Sequence, residues 1–211
     1  NSSLSKVVSI DIPSGLMGEE NTFNIRTNIV KADLTLSLQL PKLAFLFAEN
    51  QEFVGEWELL DIDLDEDGID KMETPYTLLE REDLQTLLKP RNKFAHKGDF
   101  GKALLIAGSQ GMAGASILAA KACLRSGIGL LTVHVPACNN EIVQTAVPEA
   151  MTEVDPGNTC FACPSETDDY QAVGIGPGLG KADETEAALL VQIDTCQTPM
   201  VVDADAWNML A

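Results

Sequence analysis

Histidine is scarce in this sequence of 211 residues, and the five cysteines are an odd number scattered along the chain. The pair Cys160 and Cys163 has the spacing of a zinc or redox motif. A zinc site would need a second such pair or nearby histidines, and the only histidines are His96 and His134. We therefore predict reduced thiols, with neither a zinc centre nor a disulfide framework.

Long apolar runs and basic residues are also missing. No run reaches the roughly 18 apolar residues of a membrane-spanning helix, and the opening segment, with Lys6 beside a short apolar run, is not expected to be a signal peptide. The sequence has 14 Lys and Arg against 32 Asp and Glu, a net charge of −18. This charge disfavours nucleic acid and anionic membranes as partners. We expect a cytoplasmic protein that binds small molecules.

The segment from His96 to Pro136 carries the clearest pattern. A buried strand is predicted over 102–107, followed by a loop with Gly108, Gly111 and Gly114, a helix over 113–125 and a second strand over 130–135. The glycines let the backbone lie close to a ligand, and the helix N-terminus is suited to bind phosphate. A tight strand–helix turn without a ligand remains the alternative.

Two familiar phosphate motifs are excluded in this segment. A P-loop requires a second glycine five residues after its first, followed by a Lys–Ser or Lys–Thr pair, but the residue five after Gly108 is Ala113 and no such pair follows. The dinucleotide fingerprint requires G-x-G-x-x-G, and after Gly127 and Gly129 the third glycine is replaced by Thr132. The loop is therefore a different kind of nucleotide or substrate platform, if it binds a ligand at all.

The rest of the chain continues the alternation of strands and helices. Further strands are predicted over 172–175 and 199–202, and helices over 139–146 and 183–193, the second capped by Asp183. Four glycines and a proline in 174–180 suit a backbone lying against a flat ligand. We predict a doubly wound parallel α/β domain over residues 67–211.

The first 66 residues form a separate α/β piece. Strands are predicted over 6–12, where the strand is buried, over 32–40, where polar and apolar residues alternate, and over 57–62. The acidic stretch 61–70 is predicted to be a solvated linker, and the boundary is placed near residue 66. A short helix is predicted over 78–88.

Six sequence blocks in the second piece together resemble the ADP/ATP-dependent NAD(P)H-hydrate dehydratases, a branch of the ribokinase-like superfamily. The blocks are HKGDFG (96–101), AGSQGMAGA (107–115), RSGIGLLTV (125–133), PEAM (148–151), GIGPGLG (174–180) and VVDADAWNML (201–210). In the first piece, VVSIDIPSGL, ADLTLSLQLPKLAFLF and GEWELLDIDL resemble the end of the NAD(P)H-hydrate epimerase domain, a Rossmann-like sandwich. The order of the two pieces resembles a bifunctional repair enzyme.

The resemblance implies repair of hydrated NADH and NADPH, the hydrates being epimerised by the first domain. The second domain would then use ATP or ADP, with Mg²⁺, to phosphorylate the C6 hydroxyl of the S epimer, and loss of phosphate restores the cofactor. The family's catalytic base lies in a late G-x-G-D block that does not occur here. We expect both domains to be incomplete, with no catalytic residue in this chain, the base lying beyond Ala211, and the isolated chain inactive.

The resemblance also implies roles for six residues. Asp11 would contact the hydrated cofactor and Ser14 would help to hold a potassium ion. In the second domain, Ala115 and Gly178 would contact the hydrated nicotinamide cofactor, and a side chain at Gly178 would project into ligand space. Lys97 would meet phosphate, with a solvated loop lysine as the alternative, and Asp203 would organise Mg²⁺ through water, with a helix N-cap as the alternative.

Other functions remain open on the residues alone. One is a vitamin or sugar kinase on the same fold, against which the upstream DIPSG block argues. Another is a non-catalytic nucleotide-binding or assembly module. The expected partners are hydrated NADH or NADPH, an adenine nucleotide and, in a homo-oligomer, further copies of the chain. The residues do not distinguish ADP from ATP or NADH from NADPH.

Overall fold

The computed structural model describes residues 5–87 and 90–211 and divides the chain into two compact units, 1–87 and 88–211. This division lies after residue 87, and the domain boundary near residue 66 stays a prediction. Among the described residues, no helix combines the length and the apolar character needed to cross a membrane.

The first unit is built on a three-stranded parallel sheet with strand order β1-β2-β3. Its elements are β1 (Val8–Ile10), β2 (Leu34–Leu38), helix α1 (Gln51–Val54), β3 (Glu56–Leu60), α2 (Glu66–Asp70) and α3 (Arg81–Leu87). The three predicted strands are present but shorter than the sequence indicated.

The covered face of this sheet carries polar side chains. Thr35 and Ser37 of β2 are fully buried, whereas the leucines of β2 are half-buried on the opposite face. The Thr35 hydroxyl donates to the carbonyl oxygen of Val54 at 2.7 Å. The apolar cluster of the unit has six buried members, which are Leu16, Ile29, Ala44, Phe45, Phe53 and Val54.

One sequence-based expectation for this unit is wrong, and two differ from the structure in detail. The strand after Lys6 is not buried, because Val8 is 51% and Ile10 73% exposed and only Ser9 between them is buried. The acidic stretch is exposed as expected, but it contains helix α2, whose first turn holds acidic residues that favour a helix N-terminus. The predicted helix over 78–88 begins later, at Arg81, and Leu88 lies outside the described residues.

The second unit is a five-stranded, wholly parallel sheet with order β6-β5-β4-β7-β8. Its elements are β4 (Lys102–Ile106), α4 (Ala113–Ser126), β5 (Leu130–Pro136), α5 (Asn140–Ala146), β6 (Met151–Asp155), β7 (Ala172–Ile175), α6 (Asp183–Thr195), β8 (Met200–Val202) and α7 (Ala204–Leu210). The predicted strand–loop–helix–strand unit is confirmed.

Helices cover both faces of this sheet, as a doubly wound parallel sheet requires. On one face, Ala120 of α4 and Val143 of α5 pack on alternate residues of β4 and β5. On the other face, Leu189 of α6 and Ala206 of α7 pack on the intervening residues of β4 and on β7. The predicted α/β architecture is confirmed. One local detail is wrong, because the N-cap of α6 is Ala182, and Asp183 is the first helical residue.

Candidate functional site

The two glycine-rich segments of the second unit meet at one edge of the sheet. β4 leads into residues 108–115 and β7 into residues 176–180, and these two strands are parallel neighbours. Their carboxyl ends therefore lie side by side, where open α/β sheets bind ligands. The Gly108 N–H donates to the carbonyl oxygen of Pro177 at 2.8 Å, and the Ser109 hydroxyl donates to that of Gly178 at 2.9 Å.

Two aspartates join this edge from β8, the neighbour of β7. The Asp203 N–H donates to the carbonyl oxygen of Ile175 at 3.0 Å. Asp203 is exposed and stands at the N-cap position of α7, but its side chain makes no capping hydrogen bond. The carboxylate of Asp205 accepts the Gly180 N–H at 2.9 Å and so fixes the end of the second glycine-rich segment.

Gly178 and Ala115, both predicted to contact the cofactor, contact each other. Gly178 has a φ of +66°, and a Cβ atom there would lie 2.7 Å from the Cβ of Ala115 and 3.1 Å from the carbonyl oxygen of Met112. A side chain at Gly178 would thus meet the first turn of α4. The sequence predicted that a side chain at Gly178 would project into ligand space. The structure shows that it would first overlap α4, so the close packing of the two segments by itself requires glycine here.

Two other glycines border open space. At Gly111, with a φ of +83°, and at Gly114, in the first turn of α4, an added Cβ would meet no atom within 4 Å. The N-cap residue of α4 is Met112, which gives no side-chain hydrogen bond to the helix. Unfilled space beside an uncapped helix N-terminus is the arrangement that accepts an anionic ligand.

Lys97 lies away from these segments. It begins the 3₁₀ turn Lys97–Phe100, which precedes β4, whereas the glycine-rich loop follows β4. The strand β4, with four steps of about 3.3 Å from Lys102 to Ile106, separates the two ends by about 13 Å. The structure therefore does not bring Lys97 to the candidate site. Its backbone explains Gly129 instead, since a Cβ there would overlap the carbonyl oxygen of Lys97.

Asp11 and Ser14 lie in the turn after β1, at the carboxyl edge of the first unit's sheet. Asp11 has a φ of +69°, and its carboxylate accepts the Leu38 N–H at 3.2 Å and pairs with the Lys42 ammonium at 2.8 Å. The hydrogen bond from Lys42 is the main reason that the pKa of Asp11 lies below its ordinary value, since it outweighs the opposing effect of partial burial. Asp11 is thus a half-exposed, ionised carboxylate.

Metal ligands are not grouped in the part of the chain that the structure describes, where no three His, Cys, Asp or Glu side chains could share an ion. Ser14 is exposed, and its carbonyl oxygen accepts the Val30 N–H at 2.9 Å. The Asp203 carboxylate makes no capping bond that would compete with a hydrated ion.

Sequence reasoning gave no role to three residues that shape these sites. Asp205 carried a signal, because it follows a predicted strand end by three residues. Ser109 and Lys42 carried none, because each acts on a residue that is distant in sequence, Gly178 and Asp11 respectively.

An open parallel sheet with two interlocked glycine-rich segments at its carboxyl edge is the architecture on which many α/β domains bind nucleotides or cofactors. A family model described as NAD(P)H-hydrate dehydratase matches residues 103–211, more than half of the chain. A second, described as YjeF-related protein N-terminus, matches residues 1–44. The chain belongs to the NAD(P)H-hydrate dehydratase family.

Curated relatives match all or nearly all of the chain. A bifunctional NAD(P)H-hydrate repair enzyme of Escherichia coli K12 is 33% identical over 211 residues, which are 100% of this chain and 40% of the relative. The enzyme of the same description from Coxiella burnetii is 34% identical over 212 residues, covering 97% of this chain and 41% of the relative. The chain thus spans about two fifths of the length of these relatives.

Solved structures resemble part of the chain. The ADP/ATP-dependent NAD(P)H-hydrate dehydratase of Bacillus subtilis, co-crystallised with ATP and Mg²⁺, has a TM-score of 0.51 and 32% identity over 59% of this chain and 44% of that one. A ribokinase-like superfamily protein of Enterococcus faecalis has a TM-score of 0.53 and 26% identity over 66% of this chain and 50% of that one. The predicted ribokinase-like architecture is confirmed.

Proposed function

We propose that this chain serves the repair of hydrated NADH and NADPH, with the two steps divided between its units. The second unit binds the S epimer of the hydrated cofactor at the carboxyl edge of its sheet, for dehydration dependent on ADP or ATP. The first unit contributes Asp11 to epimerisation of the hydrate. The sequence has no G-x-G-D block, so we propose that the 211-residue chain by itself binds without turning over.

The open space above Gly111 and Gly114 carries this proposal. A glycine that is crowded by its neighbours is explained by packing, as at Gly178. Gly114 has an ordinary backbone conformation, and an added Cβ would meet no atom within 4 Å, so neither backbone strain nor tertiary packing requires a glycine there. Close approach of a ligand to the helix N-terminus does explain it.

Several finer assignments follow from the same proposal. ATP or ADP, when bound, supplies the phosphoryl group that converts the C6 hydroxyl into a leaving group. Asp203 would hold Mg²⁺ through water, and Ser14 would contribute its hydroxyl oxygen to a K⁺ site in the first unit. We further propose a cytoplasmic location and a homo-oligomeric state, to be checked by fractionation and by light scattering.

The substitution Gly114→Ala tests the proposal. Alanine favours the helix over glycine by up to about 1 kcal/mol, so the melting temperature should stay the same or rise. The added methyl group occupies the space where the ligand approaches, so the affinity for the S epimer of hydrated NADPH should fall at least tenfold. Calorimetric titration of the 211-residue chain and thermal melting measure the two effects.

Gly18→Ala is the matched control. Gly18 also has no atom within 4 Å of an added Cβ, but it lies in the first unit, outside the proposed second-unit site. At the second-unit site, this variant should bind the S epimer as the wild-type chain does. Equal affinities of the wild-type chain and the Gly114→Ala variant would contradict the proposed site, and so would a wild-type chain that binds no hydrated cofactor.

A further inference from the structure

A polar cluster, buried except for the half-exposed Glu153, lies beside the candidate site, on the β5 and β6 side of the sheet. Its four side chains come from three parts of the second unit: His134 on β5, Glu153 and Asp155 on β6, and Ser165 in the chain after β6. His134 is 3%, Asp155 1% and Ser165 8% exposed. The proposed repair chemistry gives none of these residues a role.

The imidazole of His134 is held on both sides. Its Nε2 lies 2.7 Å from a carboxylate oxygen of Asp155. Its Nδ1 lies 2.6 Å from the Ser165 hydroxyl and 3.0 Å from a carboxylate oxygen of Glu153. Phe161 packs edge-on against the ring, with centroids 5.3 Å apart. The imidazole therefore has one fixed orientation.

Asp155 organises the loop that follows it. Its carboxylate accepts the backbone N–H groups of Gly157, Ala162 and Cys163 at 2.5 to 3.0 Å, in addition to the bond from His134. Burial alone would raise the pKa of Asp155, but these hydrogen bonds outweigh it and lower the pKa. One ionised side chain thus closes residues 156–163 into a compact loop.

This loop in turn holds the first glycine-rich segment. The Gln110 N–H donates to the carbonyl oxygen of Thr159 at 2.7 Å, and Gln110 lies between Gly108 and Gly111. The loop also accepts backbone N–H groups of Ala137 and Cys138, which follow β5. A continuous series of hydrogen bonds therefore joins His134, Asp155, the loop and the candidate site.

The far end of the cluster is anchored to α6. Gln192, fully buried, accepts the Ser165 N–H at 2.7 Å and donates to its carbonyl oxygen at 3.1 Å. These two hydrogen bonds to the backbone of Ser165 fix its hydroxyl where it meets His134. The cluster is supported by a helix and two strands and is therefore built to hold a fixed geometry.

We propose that His134 and Asp155 are positioning residues that hold the first glycine-rich segment in its ligand-binding shape through the loop 156–163. They do not touch the ligand. The expected loss of ligand affinity rests on the proposed function, whereas the hydrogen-bonded connection between Asp155 and Gln110 does not. The test is designed to separate the two.

Amide hydrogen exchange of the 211-residue chain measures the link without a ligand. The His134→Leu variant removes the hydrogen bonds of both ring nitrogens, and Asp155→Asn removes the charge that holds the loop amides. In both variants, exchange at Gly157, Ala162 and Cys163 should become at least tenfold faster, and the Gln110 amide should follow. Thr132→Val is the control, a buried position two residues before His134 on the same strand and face, and should leave all four amides unchanged.

The conservative variant His134→Gln separates positioning from simple packing, because its amide nitrogen can still donate toward Asp155. It should restore slow exchange at Gln110 and wild-type affinity for the S epimer of hydrated NADPH, whereas His134→Leu should lose at least tenfold in affinity. If Asp155→Asn fails to fold, the two His134 variants still decide the question.

Two results would overturn the proposal. One is faster exchange in the loop with an unchanged Gln110 amide. The other is a His134→Gln variant as impaired as His134→Leu. A third result, coupled exchange in a wild-type chain that binds no hydrated cofactor, would reject the proposed function and leave the positioning pair established.

Discussion

At the scale of single residues, Asp11 shows how a strained backbone can be held by its neighbours. Its left-handed conformation costs most residues about 1 to 2 kcal/mol, and aspartate tolerates it better than most. The Asp11 N–H donates to the carbonyl oxygen of Leu36 at 2.7 Å, and the carboxylate is held by Leu38 and Lys42. These bonds keep the carboxylate in place at the edge of the sheet.

The substitution Lys42→Met should raise the pKa of Asp11, because the largest cause of its lowering is removed. A carboxyl group whose pKa is lowered by folding adds stability above its unfolded pKa and loses it as the pH falls through the folded value. The stabilisation by this pair should therefore disappear in acid. Carboxyl NMR titration of Asp11 checks the shift, and Lys31→Met, which removes a pair with Glu52, is the control that should not move it.

At the scale of elements, β2 is the strand whose appearance misleads. In strands that alternate leucine with threonine and serine, the leucines ordinarily face the core. The structure buries the hydroxyl face instead, since Thr35 and Ser37 satisfy carbonyl oxygens at Val54 and Leu40. A buried hydroxyl with a partner is stable, so polarity alone does not identify the covered face.

The substitution Thr35→Val should destabilise the first unit by about 1 to 3 kcal/mol, because it leaves the buried carbonyl oxygen of Val54 without its donor. Leu36→Thr, on the opposite face of the same strand, should cost less. Urea denaturation of the two variants measures the difference. A larger loss for Leu36→Thr would show that the leucine face is the covered one in solution.

The extent to which the sequence predicted the structure differs between the two units, and this difference has a physical reason. In the second unit, β4 and β5 are covered on both faces, so short apolar runs bounded by glycine identified them. The rim formed by residues 108–115, 174–180 and Asp203 followed from parallel strand order. The cluster around His134 and the contact of Gly178 with Ala115 depend on side chains far apart in sequence, for which no local pattern exists.

At the scale of the whole molecule, the net charge of −18 sets the response to salt. Repulsion between like charges weakens the compact state, and ions screen it. We expect the melting temperature to rise between low and moderate concentrations of NaCl. KCl at the same ionic strength should give the same rise in the second unit and a larger one in the first unit, if Ser14 contributes to a potassium site. Identical curves in both salts would argue against that site.

The interlocking of the two glycine-rich segments has a consequence for the order of events during synthesis. The Ser109 hydroxyl donates to a carbonyl oxygen 69 residues further along the chain. At about 5 to 20 residues per second, the ribosome needs roughly 3 to 14 s to make those residues. Throughout that interval the first segment exists without its partner. The first half of the site is therefore synthesised several seconds before the second half is available to bond with it.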